Sequence, residues 1–187
     1  MTELKSTNRY GQQAVVVGLA ATGIYLVMIN ITLEHIQSLS GLRPFDMRPG
    51  GYSTQQAYAL LDALGIDGRQ YYLTRQIPLD LIYPGLMALT LVSVLKWLES
   101  HGLNGVLAQV GVWLSLGAAI TDYLENAGIC LMILNWPEPP TNLIRAASFA
   151  SISKAVLTTL AVLTVTIGLV FWLSRKTHNW LKPTPHN

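Results

Sequence analysis

The sequence has little charge. Asp, Glu, Lys and Arg make up only 12% of its 187 residues, whereas soluble domains carry roughly 25%. Half of the chain is hydrophobic (51%), and these residues form four runs near the roughly 20 residues that a bilayer-crossing helix needs. The sequence therefore predicts an all-α integral membrane protein. We expect a four-transmembrane-helix bundle that forms a single membrane domain over residues 1–187.

Other absences narrow the function. The single cysteine, Cys130, excludes an internal disulfide and argues against the four-helix quinone-linked thiol oxidoreductases, which need two thiols. A formal charge of +2 without a basic and aromatic stripe argues against nucleic acid as a partner. The sequence contains no Walker loop, no Gly-x-Gly-x-x-Gly and no His-Glu-x-x-His. We therefore expect no cofactor.

One polar stretch interrupts the third apolar run, which extends from Gly105 to Trp136. Asp122, Glu125 and Asn126 are spaced at i, i+3 and i+4, so they share one face of a helix. Ionisable residues at membrane depth are costly, and they usually face the bundle interior at a functional site. Small residues precede them on the same face and favour close helix packing: Gly111, Ser115, Ala118 and Ala119.

The predicted segments follow from the apolar runs and the helix breakers. We expect TM1 at about 14–35, a lid at 53–76, TM2 at about 78–98, TM3 at about 103–134 and TM4 at about 146–174. The first run exceeds the length of a signal-peptide core, so we interpret it as a retained helix. TM3 either continues through Gly128 or breaks there, and we favour the continuous helix.

The lid is predicted from capping signals in the long first connection. Ser53 to Gln56 has capping-box spacing, and an apolar face follows that Gly65 can close. Asp67 resembles a second cap, which would start another short helix through Leu73. Both helices are too short to span, so they either cover one end of the bundle or form a loop that merely packs.

TM2 is expected to begin at Pro78, with Asp80 in its first turn and Pro84 one turn later. Because proline has no N–H, Pro84 leaves the carbonyl of residue 80 without its usual donor. Asp80 would then offer both a carboxylate and a free carbonyl. The alternative is that Asp80 only interacts with the positive end of the helix dipole.

Basic residues beside the first and last spans indicate that both termini are cytoplasmic, in the plasma membrane. This topology brings most polar residues of the spans to the outer end. The catalytic candidates are Asp122 and Glu125. The substrate-binding candidates are Glu34, His35, Asp80, Tyr83, Asn126 and Lys154.

Two alternatives concern this cluster. Lys154 and a carboxylate could pair as a neutral bridge that locks the bundle. A metal site is a second alternative, but the acidic residues and His35 show no diagnostic ligand spacing, so we predict no metal.

Four spans, a long first connection and acidic residues inside the bundle resemble the four-helix sterol-isomerase and emopamil-binding group. The resemblance lies in the layout alone and assigns no residue a role.

We predict from the residues a membrane protein that binds a small lipophilic molecule. Acid–base processing of that molecule is a further hypothesis, with Asp122 beside Lys154 and Glu125 beside apolar walls. The first alternative is a non-catalytic membrane subunit or assembly factor whose small-residue stripes bind partner transmembrane helices. The second is a proton- or cation-coupled carrier, which ranks lower because the sequence shows no internal repeat. The lipid bilayer is the expected environment in each case.

Overall fold

The computed structural model describes the backbone of residues 2–180 and the side chains of residues 9–177, and this part of the chain is helical without a strand. Helix α1 comprises Thr2–Val27, a π-helical turn at Met28–Thr32, and Leu33–Ser40. Helix α2 is Thr54–Ala63, and a short 3-10 turn, Phe45–Met47, precedes it. Helix α3 comprises Gly65–Tyr71, a π-helical turn at Tyr72–Gln76, and Ile77–Ser100. Helices α4 and α5 are Gly105–Leu134 and Thr141–Trp180.

Four of these helices are long and apolar enough to cross a membrane. The qualifying segments are Arg9–Ser40, Gly65–Ser100, Gly105–Leu134 and Thr141–Thr177. In the apolar 18-residue stretch of each helix, between 11% and 33% of the residues are buried inside the chain. The described residues therefore confirm the prediction of a helical protein with four helices that are long and apolar enough to cross a membrane.

Helix α2 begins as the capping signal predicts. The Ser53 hydroxyl accepts from the Gln56 N–H while the Gln56 side chain accepts from the Ser53 N–H. Gly65 follows the helix with a φ of +60°, a conformation that favours glycine at a helix end. The apolar face of α2 is fully buried through Leu60 and Leu61. This helix therefore packs on the end of the bundle.

The second lid helix does not form as a separate element, contrary to the prediction. Residues 65–76 form the first part of α3, and no side chain caps its start, so Asp67 is not a cap. The π-helical turn Tyr72–Gln76 lies just before Pro78, whose missing N–H interrupts a regular helix ladder. The helix passes through this proline instead of starting there. The lid is therefore limited to the connection 41–52 and α2.

The other boundaries also differ from prediction. Helix α1 begins at Thr2, and α5 extends from Thr141 to Trp180, beyond the expected 14–35 and 146–174. Residues 181–187 lie outside the described part of the chain. Helix α4 is continuous through Gly128, as favoured.

Small residues bring α4 and α5 together. A side-chain carbon at Gly128 would lie 2.5 Å from the Ala147 Cβ, and one at Gly111 would lie 2.9 Å from a Thr164 methyl carbon. The pair α4–α5 packs most extensively, followed by α1 on α3 and α3 on α4. The stripes that the sequence offered to partner helices are therefore used inside the bundle.

Candidate functional site

The centre of the bundle holds a lysine between two carboxylates. The Lys154 ammonium on α5 lies 3.3 Å from Asp122 Oδ1 and also contacts Glu125 Oε2, both on α4. The Ser151 hydroxyl donates to the other Glu125 oxygen at 2.5 Å. Asp122 is 7% exposed and Glu125 is fully buried. Lys154 thus neutralises charge in the middle of the α4–α5 interface.

This geometry corrects the expected surroundings of Glu125. Its two oxygens have Ser151 and Lys154 as partners, so it does not lie against purely apolar walls. Both catalytic candidates share one lysine, so the prediction that only Asp122 lies beside Lys154 is wrong.

Asn126 supplies the donor that Pro84 removes from α3. Its side-chain amide donates to the backbone carbonyl of Asp80 at 2.9 Å, the carbonyl that lacks an N–H partner four residues later. Asn126 is 1% exposed and Asp80 is 2% exposed. The two predicted residues therefore meet, and their contact joins α3 to α4.

The lid contributes a carboxylate that the sequence analysis missed. The Tyr72 hydroxyl donates to Asp46 Oδ2, and Gln76 Nε2 lies 3.4 Å from Asp46 Oδ1. The Thr32 hydroxyl of α1 donates in turn to Gln76 Oε1 at 2.5 Å. Both π-helical turns thus contribute a side chain to the same hydrogen-bonded chain, which fastens the lid to α1 and α3.

The charge of Asp46 depends on the bundle beneath it. Burial alone would raise the pKa of Asp46, but the Asp80 carboxyl, the Lys154 charge and the Tyr72 hydroxyl outweigh that effect. They hold the pKa of Asp46 below its ordinary value of 3.8. Asp46 is therefore ionised at neutral pH.

We call these groups the polar cluster. Its members are Thr32, Asp46, Tyr72, Gln76, Asp80, Asp122, Glu125, Asn126, Ser151 and Lys154. It holds four carboxyl groups and one ammonium group. Carboxyl groups that cannot all be ionised together must take up protons or positive charge.

Three other candidates lie outside the polar cluster. Glu34 and His35 are exposed on α1, and the His35 ring contacts the Tyr71 ring at a tilt of 52°, with ring centroids 4.4 Å apart. Glu34 and His35 were predicted to belong to the cluster, but the structure places them outside it. Tyr83 is partly buried and stacks on Tyr25 at 5.7 Å, one turn below Asp80.

One signal could have revealed two of the missed residues. Tyr72 and Gln76 precede Asp80 at intervals of four, so all three share a face if the helix extends through Pro78. Because the helix was expected to start at Pro78, the residues before it were not assigned to the same helical face as Asp80. Asp46 lies in the connection between α1 and α2, where turn-forming residues interrupt the sequence, so no helical periodicity could have predicted its position.

A narrow cleft reaches the edge of the polar cluster at Asp122. Its walls come from α3, α4 and α5 and include Tyr83, Met87 and Thr158. At about 40 Å³, it has room for water but not for a ligand, since ligand pockets measure roughly 300–1,000 Å³.

A larger groove lies between α1 and α3 on the outside of the bundle. It has a volume of about 420 Å³ and is lined by side chains such as Val15, Leu19 and Tyr25. Tyr83 and Met87 line both the groove and the cleft. These two side chains therefore form the wall between an apolar groove and Asp122.

Within residues 9–177, no group of three or more His, Cys, Asp or Glu side chains is arranged to hold a metal ion. Comparison with protein-family models, curated proteins and solved structures gives no match for this chain.

Proposed function

We propose that this protein spans the membrane and binds a small lipophilic molecule in the groove between α1 and α3. The observation that supports it is the shared wall: Tyr83 and Met87 separate an apolar groove of about 420 Å³ from the cleft that ends at Asp122. The groove has the size of a ligand pocket. It opens between helices that are long enough to face lipid.

In this proposal the apolar part of the molecule occupies the groove and its polar end reaches Asp122. Entry of that end requires Tyr83 and Met87 to move, because the cleft alone is too small. Asp122 lines the cleft, whereas Glu125 is fully buried behind it. Any acid–base step on the bound molecule would therefore use Asp122, with Glu125 and Lys154 as supporting groups.

The proposed orientation places both termini in the cytoplasm and the lid on the outer side of the plasma membrane. Basic residues flank the first and last long helices at their terminal ends, which favours this orientation.

Two neighbouring valines test the groove. Val15 lines the groove and Val16 does not, although both are largely exposed (62% and 68%). We expect Val15→Trp to fill the groove and to remove a lipophilic compound that copurifies with the native protein. Val16→Trp, the matched control, should retain it. Mass spectrometry of organic extracts from the purified proteins measures the difference, and equal amounts in both variants would refute the proposal.

A structural role is the second candidate function, because Lys154 fills the space between Asp122 and Glu125. In that case the polar cluster only locks the bundle and lid, within a membrane subunit or assembly factor. Its partners would contact faces other than the small-residue stripes, which are used between α4 and α5. No lipophilic compound would then copurify in a manner sensitive to Val15→Trp.

A further inference from the structure

A second large pocket lies on the lid and shares no lining residue with the groove or the polar cluster. Its volume is about 580 Å³, within the range of roughly 300–1,000 Å³ that ligand pockets occupy. Arg43 and Arg48 of the connection 41–52 line it together with Gln56 of α2. Among the described residues, no carboxylate lines this pocket. We call it the arginine pocket, because its only charged side chains are these two arginines.

The two arginines have no carboxylate partner among the side chains of residues 9–177. The Arg48 guanidinium donates from Nε and Nη2 to the Arg43 carbonyl, at 2.9 and 2.6 Å. This contact leaves the Nη1 end of the guanidinium available as a donor. The carboxylate between them in the sequence, Asp46, is engaged by Tyr72 instead. Two positive charges therefore meet at the pocket without a counter-charge from the protein.

The charges of the two arginines act against each other. Burial lowers the pKa of the Arg48 guanidinium, and the neighbouring Arg43 charge lowers it further. Arginine nevertheless stays protonated at neutral pH. Because like charges in proximity are unfavourable, a bound anion would stabilise this arrangement.

The donors of the arginine pocket are held in place by the fold. Gly51 has a φ of +74°, and a side-chain carbon there would lie 2.6 Å from Ser148 Oγ on α5. The next N–H, that of Tyr52, donates to the same hydroxyl at 2.8 Å. The connection is thus fixed against α5. Gln56 Oε1 accepts from a backbone N–H in the capping box, so the amide NH₂ of Gln56 is its remaining donor group. Such preorganised donors bind a ligand at a lower entropic cost.

The arginine pocket also lies close to the end of an apolar helix. The apolar segment of α1 ends at Ser40, and the pocket lining begins at Leu42. Leu39 and Leu42 are exposed beside it. In the proposed membrane orientation the pocket is therefore near the level of the lipid headgroups, where basic residues attract anionic lipids.

We infer that the arginine pocket binds a phosphate group with a net negative charge, carried by a lipid headgroup or by a soluble phosphate compound. Guanidinium groups donate in pairs to phosphate oxygens, and the Gln56 amide supplies a further donor. This site is separate from the groove of the proposed function, so each can fail without the other.

The first experiment tests a lipid source. The full chain is purified in a neutral detergent and mixed with equal amounts of phosphatidylglycerol and phosphatidylcholine that have the same acyl chains. Native mass spectrometry measures the bound fraction of each lipid. We expect phosphatidylglycerol to be retained preferentially, and Arg43→Gln to reduce its retention about fivefold. Arg43 is exposed, so this substitution should leave the fold intact.

Arg75→Gln is the matched control. Arg75 is also exposed, on the first part of α3, and it does not line the arginine pocket. The variant loses the same charge and should keep most of the phosphatidylglycerol. Arg48→Gln, which removes the partly buried guanidinium, should reduce retention at least as much as Arg43→Gln.

The second experiment tests a soluble source. Inorganic phosphate should raise the midpoint of thermal unfolding relative to chloride at equal ionic strength, and Arg43→Gln should abolish that difference while Arg75→Gln preserves it. Dependence of lipid retention on Arg43 assigns a lipid headgroup, whereas a response to inorganic phosphate alone assigns a soluble compound. The inference is overturned if neither measurement depends on Arg43, or if Arg75→Gln lowers both as much as Arg43→Gln does.

Discussion

At the scale of single residues, the polar cluster depends on side chains that serve two purposes. Lys154 neutralises Asp122 and Glu125 and also fills the space between α4 and α5. Asn126 caps a carbonyl on α3 and leaves its own oxygen unpaired. Buried pairs contribute little net stability but are costly to break. The stability of the bundle should therefore respond strongly to loss of one partner and weakly to loss of both.

Lys154→Met should destabilise the protein by about 3–5 kcal/mol, because it leaves buried carboxylates without a counter-charge. Adding Glu125→Leu should restore much of that loss. Lys96→Met is the control: its ion pair with Glu99 spans 2.8 Å but is about one-third exposed, so the loss should stay below about 1 kcal/mol. Unfolding in detergent measures all three. A Lys154→Met protein as stable as the native one would show that the pairing is wrong.

Asn126→Leu should cost about 1–3 kcal/mol, because the Asp80 carbonyl loses the donor that Asn126 supplies. The same substitution should cost less in a Pro84→Ala protein, where the N–H of residue 84 can bond that carbonyl along the helix. A double-mutant cycle measured by thermal unfolding gives the coupling. Equal costs in the two backgrounds would mean that Asn126 does not replace the missing N–H.

At the scale of elements, the lid is held by two different forces. Its apolar side, including Phe45, Leu60 and Leu61, is buried on the end of the bundle. Its polar contact is Asp46, which reaches Tyr72 and Gln76 on α3. The apolar contact is insensitive to pH, whereas the polar one requires an ionised carboxylate. The lid should therefore loosen in acid without leaving the bundle.

The Asp46 contribution should disappear at low pH. Because the pKa of Asp46 in the folded protein lies below its ordinary value of 3.8, the ionised group stabilises the fold at higher pH. That stabilisation is lost as the pH falls through the lowered pKa. The difference in thermal midpoint between the native and Asp46→Asn proteins should therefore shrink on acidification. Asp62→Asn, on the exposed side of α2, is the control for loss of a carboxylate, and a constant difference for Asp46→Asn would contradict the assignment.

At the scale of the whole molecule, the arrangement of helices separates a packed core from an open side. Helices α3, α4 and α5 carry Asp80, Asp122, Glu125 and Lys154 of the polar cluster, while α1 packs along α3 and leaves the groove between them. The lid covers the end of the bundle above the cluster. In the proposed function, a ligand would enter the groove beside α1 and not through the lid.

Cysteine labelling tests the orientation of the whole molecule. In a Cys130→Ser background, cysteines at Ser53 or Thr141 should react with a membrane-impermeant reagent added from outside, because both positions are exposed at the lid end. Cysteines at Ser6 or Thr184 should react only after the membrane is permeabilised. Reaction of the terminal positions from outside would reverse the proposed orientation.

Local sequence patterns determined much of this protein. Apolar runs specified four long helices, the Ser53–Gln56 box specified the start of α2, and the spacing of Asp122, Glu125 and Asn126 placed them on one buried face. These features depend on residues within a few helical turns of each other, so the sequence pattern predicts them without knowledge of the tertiary structure. Pro84 removes the N–H donor of the Asp80 carbonyl within one helical turn, so this effect could also be predicted from the sequence.

Tertiary structure alone decided which groups meet. Asp46 contacts Tyr72 and Gln76 across 26 and 30 positions of the chain, and Glu125 meets Ser151 across 26. The course of α3 through Pro78 depends on a rearranged turn, and the exposure of Glu34 and His35 depends on the packing of α1 along α3. Periodicity shows which face of a helix is buried, but it does not show which neighbour covers that face. Long-range packing makes that choice, because it must satisfy the buried polar groups of several helices at once.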